Sequence, residues 1–289
     1  MKFVTYTYEG ASAVGVLSAD DSAVIPASEL GLKAESMNEL ICELGGSLPA
    51  IPDGAKSIPL TAVKLDAPIP EPKQDVVCLG LNYRDHVDEA TRADAVFDVQ
   101  RGDAVYFAKR LQRAVAPDGI IEGHFDICDS LDYEVELGVI IGRDAKNVKA
   151  VDAGDYIFGY TIINDVSARN LQTRHKQWYF GKSLDDFTPM GPCIVSAEMI
   201  GAMPELGIRC YVNGELRQSS NTHNMIFDIP YVIEELSAGM TLKAGTVIAT
   251  GTPSGVALGM PPETRRYLKS GDVIRCEIDG IGVLENTVG

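Results

Sequence analysis

The sequence predicts a β-rich α+β fold, and three observations predict it. Residues 132–142, Asp-Tyr-Glu-Val-Glu-Leu-Gly-Val-Ile-Ile-Gly, alternate with the period of two that a strand imposes. Short apolar runs bounded by Gly, Pro, Asn and Asp recur along the chain, and Asn213-Gly214 between two of them is a strong hairpin signal. The stretches with helical character are short and scattered.

Taken in order, residues 2–8, 12–18 and 22–26 read as strands, with Gly10 and Asp20-Asp21 at the turns. A helix over 36–44 ends at Gly45-Gly46. The proline cluster Pro68-Ile-Pro-Glu-Pro72 reads as a linker, which divides the chain into a small α+β domain over 1–70 and a main domain over 71–289. The main domain opens with a buried strand at 76–80. Asn82 is placed to cap a helix that carries His86 and Glu89 on one face, three residues apart. A strand at 104–108 leads to a basic cluster, Lys109, Arg110 and Arg113. An apolar strand at 156–163 runs into Asn164-Asp165. Strand 247–250 enters a glycine-rich turn, Gly251-Thr-Pro-Ser-Gly-Val256, whose backbone N–H groups suit a carboxylate. A helix at 229–236 and strands at 273–278 and 283–287 complete the chain.

Composition narrows the function. A net charge of −16 excludes a general nucleic-acid binder and disfavours docking on an anionic membrane. The six cysteines include no C-x-x-C pair and no zinc-finger spacing, so they read as reduced core residues. No apolar run reaches the length of a membrane span and no signal-type h-region opens the chain, so a cytoplasmic protein is expected.

The acidic strand carries the first chemical signal. Val135, Leu137, Val139 and Ile141 share one face, and Asp132, Glu134 and Glu136 the other. Same-face neighbours on a strand lie about 6.5–7 Å apart, so two carboxylates can close on one hard cation such as Mg²⁺ or Ca²⁺. The same pattern fits a solvated acidic face. Likewise, a His86–Glu89 pair suits a general base or an ordinary surface ion pair, Asp165 suits a ligand or a helix cap, and Lys182 a buried or an exposed cation.

Five stretches together resemble the fumarylacetoacetate hydrolase family. They are Gly80-Leu-Asn-Tyr-Arg-Asp-His86, Leu131-Asp-Tyr-Glu-Val-Glu-Leu137, Asn164-Asp-Val-Ser-Ala-Arg169, Gly181-Lys-Ser-Leu-Asp185 and Thr250-Gly-Thr-Pro-Ser-Gly-Val256. They occur in the family's order. The resemblance is to its bacterial acylpyruvate hydrolase and hydroxymuconate isomerase branch, and covers the chain from about residue 76. It implies a mixed β-roll or sandwich-like catalytic core, and a homodimer. It implies Glu134, Glu136 and Asp165 as ligands of Mg²⁺ or Mn²⁺, with Ca²⁺ able to substitute. It implies His86, Glu89 and Lys182 as catalytic groups, and Arg84, Gln172 and Thr252 as substrate contacts. Family members commonly carry a proline-bearing loop where this chain has Arg110-Leu-Gln-Arg113, so the substrate can differ.

The reading that follows is a metal-dependent hydrolase that cleaves a C–C bond in acylpyruvate or fumarylpyruvate-type 2,4-dioxo acids through a metal-bound enolate. Isomerisation of a hydroxymuconate-type 2-oxo diacid and decarboxylation of oxaloacetate are the alternatives at the same site. A non-catalytic metal and oxo-acid binding protein is the contrasting class. A pure binder has no need of a base, and the His86/Glu89 pair therefore favours an enzyme.

Overall fold

The structure, a computed structural model, describes residues 1–92 and 102–289. Its fold is the expected β-rich α+β type. Among the described residues an 11-stranded mixed sheet forms the backbone of the molecule. Across it run Ile58–Pro59, Ala23–Pro26, Ala11–Leu17, Lys2–Tyr8, Met190–Ser196, Ile157–Asn164, Val135–Ile141, Val247–Ala249, Val76–Gly80 and Val105–Lys109. Lys64–Leu65 pairs separately with Lys2–Tyr8. A five-stranded sheet runs in the order Glu215–Asn221, Gly207–Val212, Val273–Ile278, Gly282–Val288 and Ile120–Ile121. It packs over the central strands of the first.

The acidic strand is the middle of this sandwich. The expectation of one wet face is corrected: all seven residues of Val135–Ile141 are buried. Val135, Leu137, Val139 and Ile141 face the larger core, while Ile140 on the opposite face joins a second core. That second core also takes Phe3, Ile41 and Phe158. Residues 1–70 therefore share both cores with the rest of the chain, and Lys2 and Phe3 pair with Val195 and Ile194.

Most expected elements form. Ser36 caps helix Met37–Leu44 by accepting from the Glu39 N–H, and Gly45 ends it in the left-handed conformation. Asn213 and Gly214, at φ of 51° and 80°, close the hairpin as a tight turn requires. Asn82 departs from its expected role. The helix is Arg84–Arg92, and the Asn82 side chain instead joins two distant segments. Its Nδ2 donates to Thr250 O at 2.8 Å and Phe227 O at 3.1 Å, and its Oδ1 accepts from the Phe227 N–H at 2.8 Å.

Truncation of Asn82 to Ala leaves these backbone groups unpaired, each costing about 1–3 kcal/mol when buried. The expected outcome is a lowered denaturant midpoint with an unchanged slope, measured by urea titration.

Candidate active site and metal centre

Strand pairing assembles the site. Val135 lies opposite Asn164 and Glu136 opposite Ile163, so the two strands end together. The Asn164 side chain accepts from the Glu134 N–H, and the Asp165 N–H donates to Glu134 O at 2.8 Å. Glu134, Glu136 and Asp165 thereby converge, with one carboxylate oxygen of each within 4.8 Å of the others. All three are buried.

Three buried cations answer them. Lys182 Nζ donates to Glu134 Oε2 and Asp165 Oδ2, both at 2.8 Å. Lys109 Nζ donates to Asp165 Oδ1 at 2.5 Å and to Val166 O at 3.1 Å. Arg169 pairs with Glu134 Oε1 at 2.7 Å and donates through Nε to Asp132 Oδ2 at 2.9 Å. Glu136 is the exception. Its Oε2 accepts from the Gly251 N–H at 2.7 Å, but its buried Oε1 has no hydrogen-bond partner among the described residues.

The charges follow this geometry. Burial works to raise the Glu134 pKa, but Lys182 and Arg169 outweigh it and hold the group at about 2. Burial raises Glu136 well above the ordinary range, and the negative charges of Asp165 and Glu134 push it further. Burial would lower the pKa of Lys182, yet Asp165 and Glu134 keep it raised and charged. An unpartnered carboxylate oxygen that converges with two others, in a pocket with excess negative charge, fits a hard divalent cation held by oxygen.

Above the carboxylates His86 and Glu89 face the same cleft. His86 Nδ1 lies 3.1 Å from Glu89 Oε2. Glu89 Oε1 accepts from the Gly255 N–H at 2.9 Å. The cleft is walled by Leu79, Phe107, Trp178, Val256 and Leu258. Gly80 is required here. A Cβ at this position would lie 2.2 Å from the Trp178 ring.

Residues 75–289 match the family model described as fumarylacetoacetate hydrolase, C-terminal. The chain belongs to the fumarylacetoacetate hydrolase family. It is 47% identical to the oxaloacetate tautomerase YisK of Bacillus subtilis over 80% of this chain and 74% of that protein. It is 40% identical to the mitochondrial oxaloacetate tautomerase fahd2 of Xenopus laevis over 78% and 68%. Among solved structures, the fumarylacetoacetate hydrolase of Exiguobacterium antarcticum superposes with a TM-score of 0.86 at 38% identity, covering 100% of this chain and 99% of that one. The 5-carboxymethyl-2-hydroxymuconate delta-isomerase of Mycobacterium smegmatis gives 0.77 at 32%, covering 100% and 99%.

In this member of the fumarylacetoacetate hydrolase family the sequence-derived residues meet the cleft unequally. His86, Glu89, Glu134, Gln172, Lys182 and Thr252 line it, and Glu136 and Asp165 lie beneath. The Thr252 hydroxyl is already committed. It donates to Val135 O at 2.9 Å and accepts from Gln218 Nε2 at 2.8 Å, so it braces the wall. Arg84 opens its helix as an exposed residue outside the cleft lining. The glycine-rich turn does hold carboxylates, but they are the protein's own Glu136 and Glu89.

Two residues were not expected in these roles. Lys109, read as part of a basic cluster, points inward as the last residue of strand Val105–Lys109. Its neighbour Arg113 instead pairs with Asp66 and Glu71 on the surface. Arg169 carries no signal of its own in the sequence beyond closing the stretch Asn164-Asp-Val-Ser-Ala-Arg169. Alternation along 105–109 could have flagged the inward lysine, since Lys109 shares a strand face with Phe107.

Two outcomes follow for metal binding. Glu136→Gln removes the raised carboxylate and is expected to abolish tight Mg²⁺ binding measured by calorimetry. In the wild type, Mg²⁺ must displace the Glu136 proton, so affinity is expected to rise as pH increases above 4.5. Calorimetry in buffers of different ionisation heat reads the released proton.

Proposed function

We propose that this protein is a metal-dependent keto–enol tautomerase of small 2-oxo dicarboxylic acids, with oxaloacetate as the first substrate to test. The observation that carries the proposal is the His86–Glu89 pair facing buried Lys182 and Gln172 across one cleft. Relatives at 40–47% identity that carry the name oxaloacetate tautomerase support the substrate class.

The chemistry follows from the side chains. Ionised Glu89 only accepts hydrogen bonds, so His86 Nδ1 carries the hydrogen and Nε2 is left basic. Nε2 removes a proton from C3 of the substrate and a proton is returned on the 2-oxo oxygen, so the net change is isomerisation without a co-reactant. Lys182, with one hydrogen beyond the two given to Glu134 and Asp165, and Gln172 bind the negative charge that develops on the substrate oxygens. Mg²⁺ or Mn²⁺ held by Glu134, Glu136 and Asp165 would supply Lewis-acid polarisation of the 2-oxo acid. The apolar wall of Leu79, Phe107 and Trp178 lowers the local dielectric around these groups.

A second reading is hydrolysis of acylpyruvate-type 2,4-dioxo acids. The close likeness to a solved fumarylacetoacetate hydrolase favours it, and the same base can activate water. Decarboxylation of oxaloacetate needs neither the water nor the returned proton on oxygen. A cytoplasmic homodimer completes the proposal.

The test follows enol and keto oxaloacetate by ultraviolet absorbance, with Mg²⁺, Mn²⁺ or chelator, beside an acylpyruvate panel. Metal-dependent interconversion is expected. Pyruvate plus a carboxylic acid from the panel, without interconversion, moves the assignment to the hydrolase, and pyruvate plus CO₂ moves it to the decarboxylase. His86→Ala is expected to keep Mg²⁺ binding and lose about 10²–10⁴-fold in turnover, as removal of a general base does.

A further inference from the structure

The acidic strand motif contains one carboxylate that the site chemistry does not use. Asp132 is fully buried on the two-residue strand Leu131–Asp132, which pairs with Ser167–Ala168. Four donors converge on it. Oδ1 accepts from the Tyr133 N–H at 2.9 Å and the Ala257 N–H at 2.8 Å. Oδ2 accepts from the Leu258 N–H at 3.0 Å and Arg169 Nε at 2.9 Å. A carboxylate has about four acceptor sites, so Asp132 has none left for metal or substrate.

Apart from neighbouring Tyr133, its partners belong to two separate segments that line the cleft. In one, Arg169 Nη1 donates to Gln172 Oε1 at 3.0 Å. A guanidinium only donates, so this bond fixes which end of the Gln172 carboxamide faces Arg169. The amide nitrogen, with two hydrogens, is left for the cleft that Gln172 lines. In the other, Ala257 and Leu258 belong to the turn 255–259. That turn donates the Gly255 N–H to Glu89, and Gly259 packs so closely on Glu89 that a Cβ there would lie 2.2 Å from its Cδ. Tyr133 adds a bond from its hydroxyl to Gly255 O at 2.9 Å.

We infer that Asp132 is a positioning residue that sets the oxyanion-binding amide of Gln172 and the His86–Glu89 base in register within the cleft. It acts through Arg169 on one side and through the 255–259 turn on the other. The inference concerns the site of the proposed tautomerase and rests on that reading for its catalytic meaning. Asp132→Asn keeps the shape but turns one acceptor into a donor that faces other donors. The carboxamide of Gln172 then loses its fixed orientation, whereas Glu134, Glu136 and Asp165 keep their places.

The test separates metal binding from anion binding without turnover. Calorimetry measures Mg²⁺ alone, then oxalate on the Mg²⁺-loaded protein, because oxalate is a planar stand-in for a 2-oxo acid enolate. Asp132→Asn is expected to weaken oxalate about tenfold or more and to change Mg²⁺ affinity less than about threefold, a tenfold step being 1.4 kcal/mol. Gln172→Ala is expected to do the same, and the double variant to be no weaker than either single one, as residues of one network behave. Asp132→Glu, which keeps the negative charge but shifts the carboxylate by one methylene relative to Arg169 and the 255–259 turn, is expected to give the same split and serves if Asp132→Asn does not fold. Parallel loss of Mg²⁺ and oxalate, additive single effects, or unchanged or absent oxalate binding would overturn the inference. Variants that show this split beside a wild type that interconverts no 2-oxo acid would retain the positioning role and reject the tautomerase reading.

Discussion

Four carboxylates and three cations are buried side by side, and the rest of the site depends on how that imbalance is resolved. Asp132, Glu134, Glu136 and Asp165 face Lys109, Arg169 and Lys182, all nearly without solvent. Desolvated charges are tolerated only with close partners, and removing one partner of such a pair typically costs about 3–5 kcal/mol. Asp132, Glu134 and Asp165 each meet a cation. Among the described residues Glu136 accepts a hydrogen bond only from the Gly251 N–H. The site is therefore poised to accept positive charge at one corner and is well satisfied elsewhere.

The sandwich makes this possible. Central strands covered on both faces provide a dry wall, and paired strand ends bring side chains from residues 134 and 165 into contact. The turn after Val247–Ala249 then serves both halves of the chemistry. Its N–H groups hold Glu136 below and Glu89 above, and Gly251 and Gly255 sit at φ of 94° and 105°. A side chain at Gly255 would collide with Arg217 O at 2.0 Å, so the sequence spends its glycines where the backbone must approach other groups.

Much of this was legible in the sequence because it is local. The alternation of 135–141, the Ser36 cap, the Asn213-Gly214 turn and the i,i+3 spacing of His86 and Glu89 each follow from a few adjacent residues. The carboxylate triad was legible only through the resemblance, since nothing local says that Asp165 lies opposite Glu134. What escaped is long-range. Asn82 looks like a cap but bonds to Thr250 and Phe227. Lys109 looks like a surface charge among Arg110 and Arg113 until strand pairing turns it onto Asp165. The wet face expected for the acidic strand vanished because a second core covers it.

The pairing of Lys2 and Phe3 with Val195 and Ile194 bears on how the sheet avoids edge-to-edge aggregation. Strand Met190–Ser196 has Ile157–Asn164, which ends just before Asp165, on one side and Lys2–Tyr8 on the other. Without the leading strand it would present open N–H and C=O groups along an apolar ribbon, a template for adding foreign strands. The opening residues thus act as a sheath on the sheet and move its free border outward to the short ladder of Ile58–Pro59, where Pro59 withholds an amide hydrogen. Protection of the carboxylate-bearing strands from misassembly is thus built several strands away from the cleft.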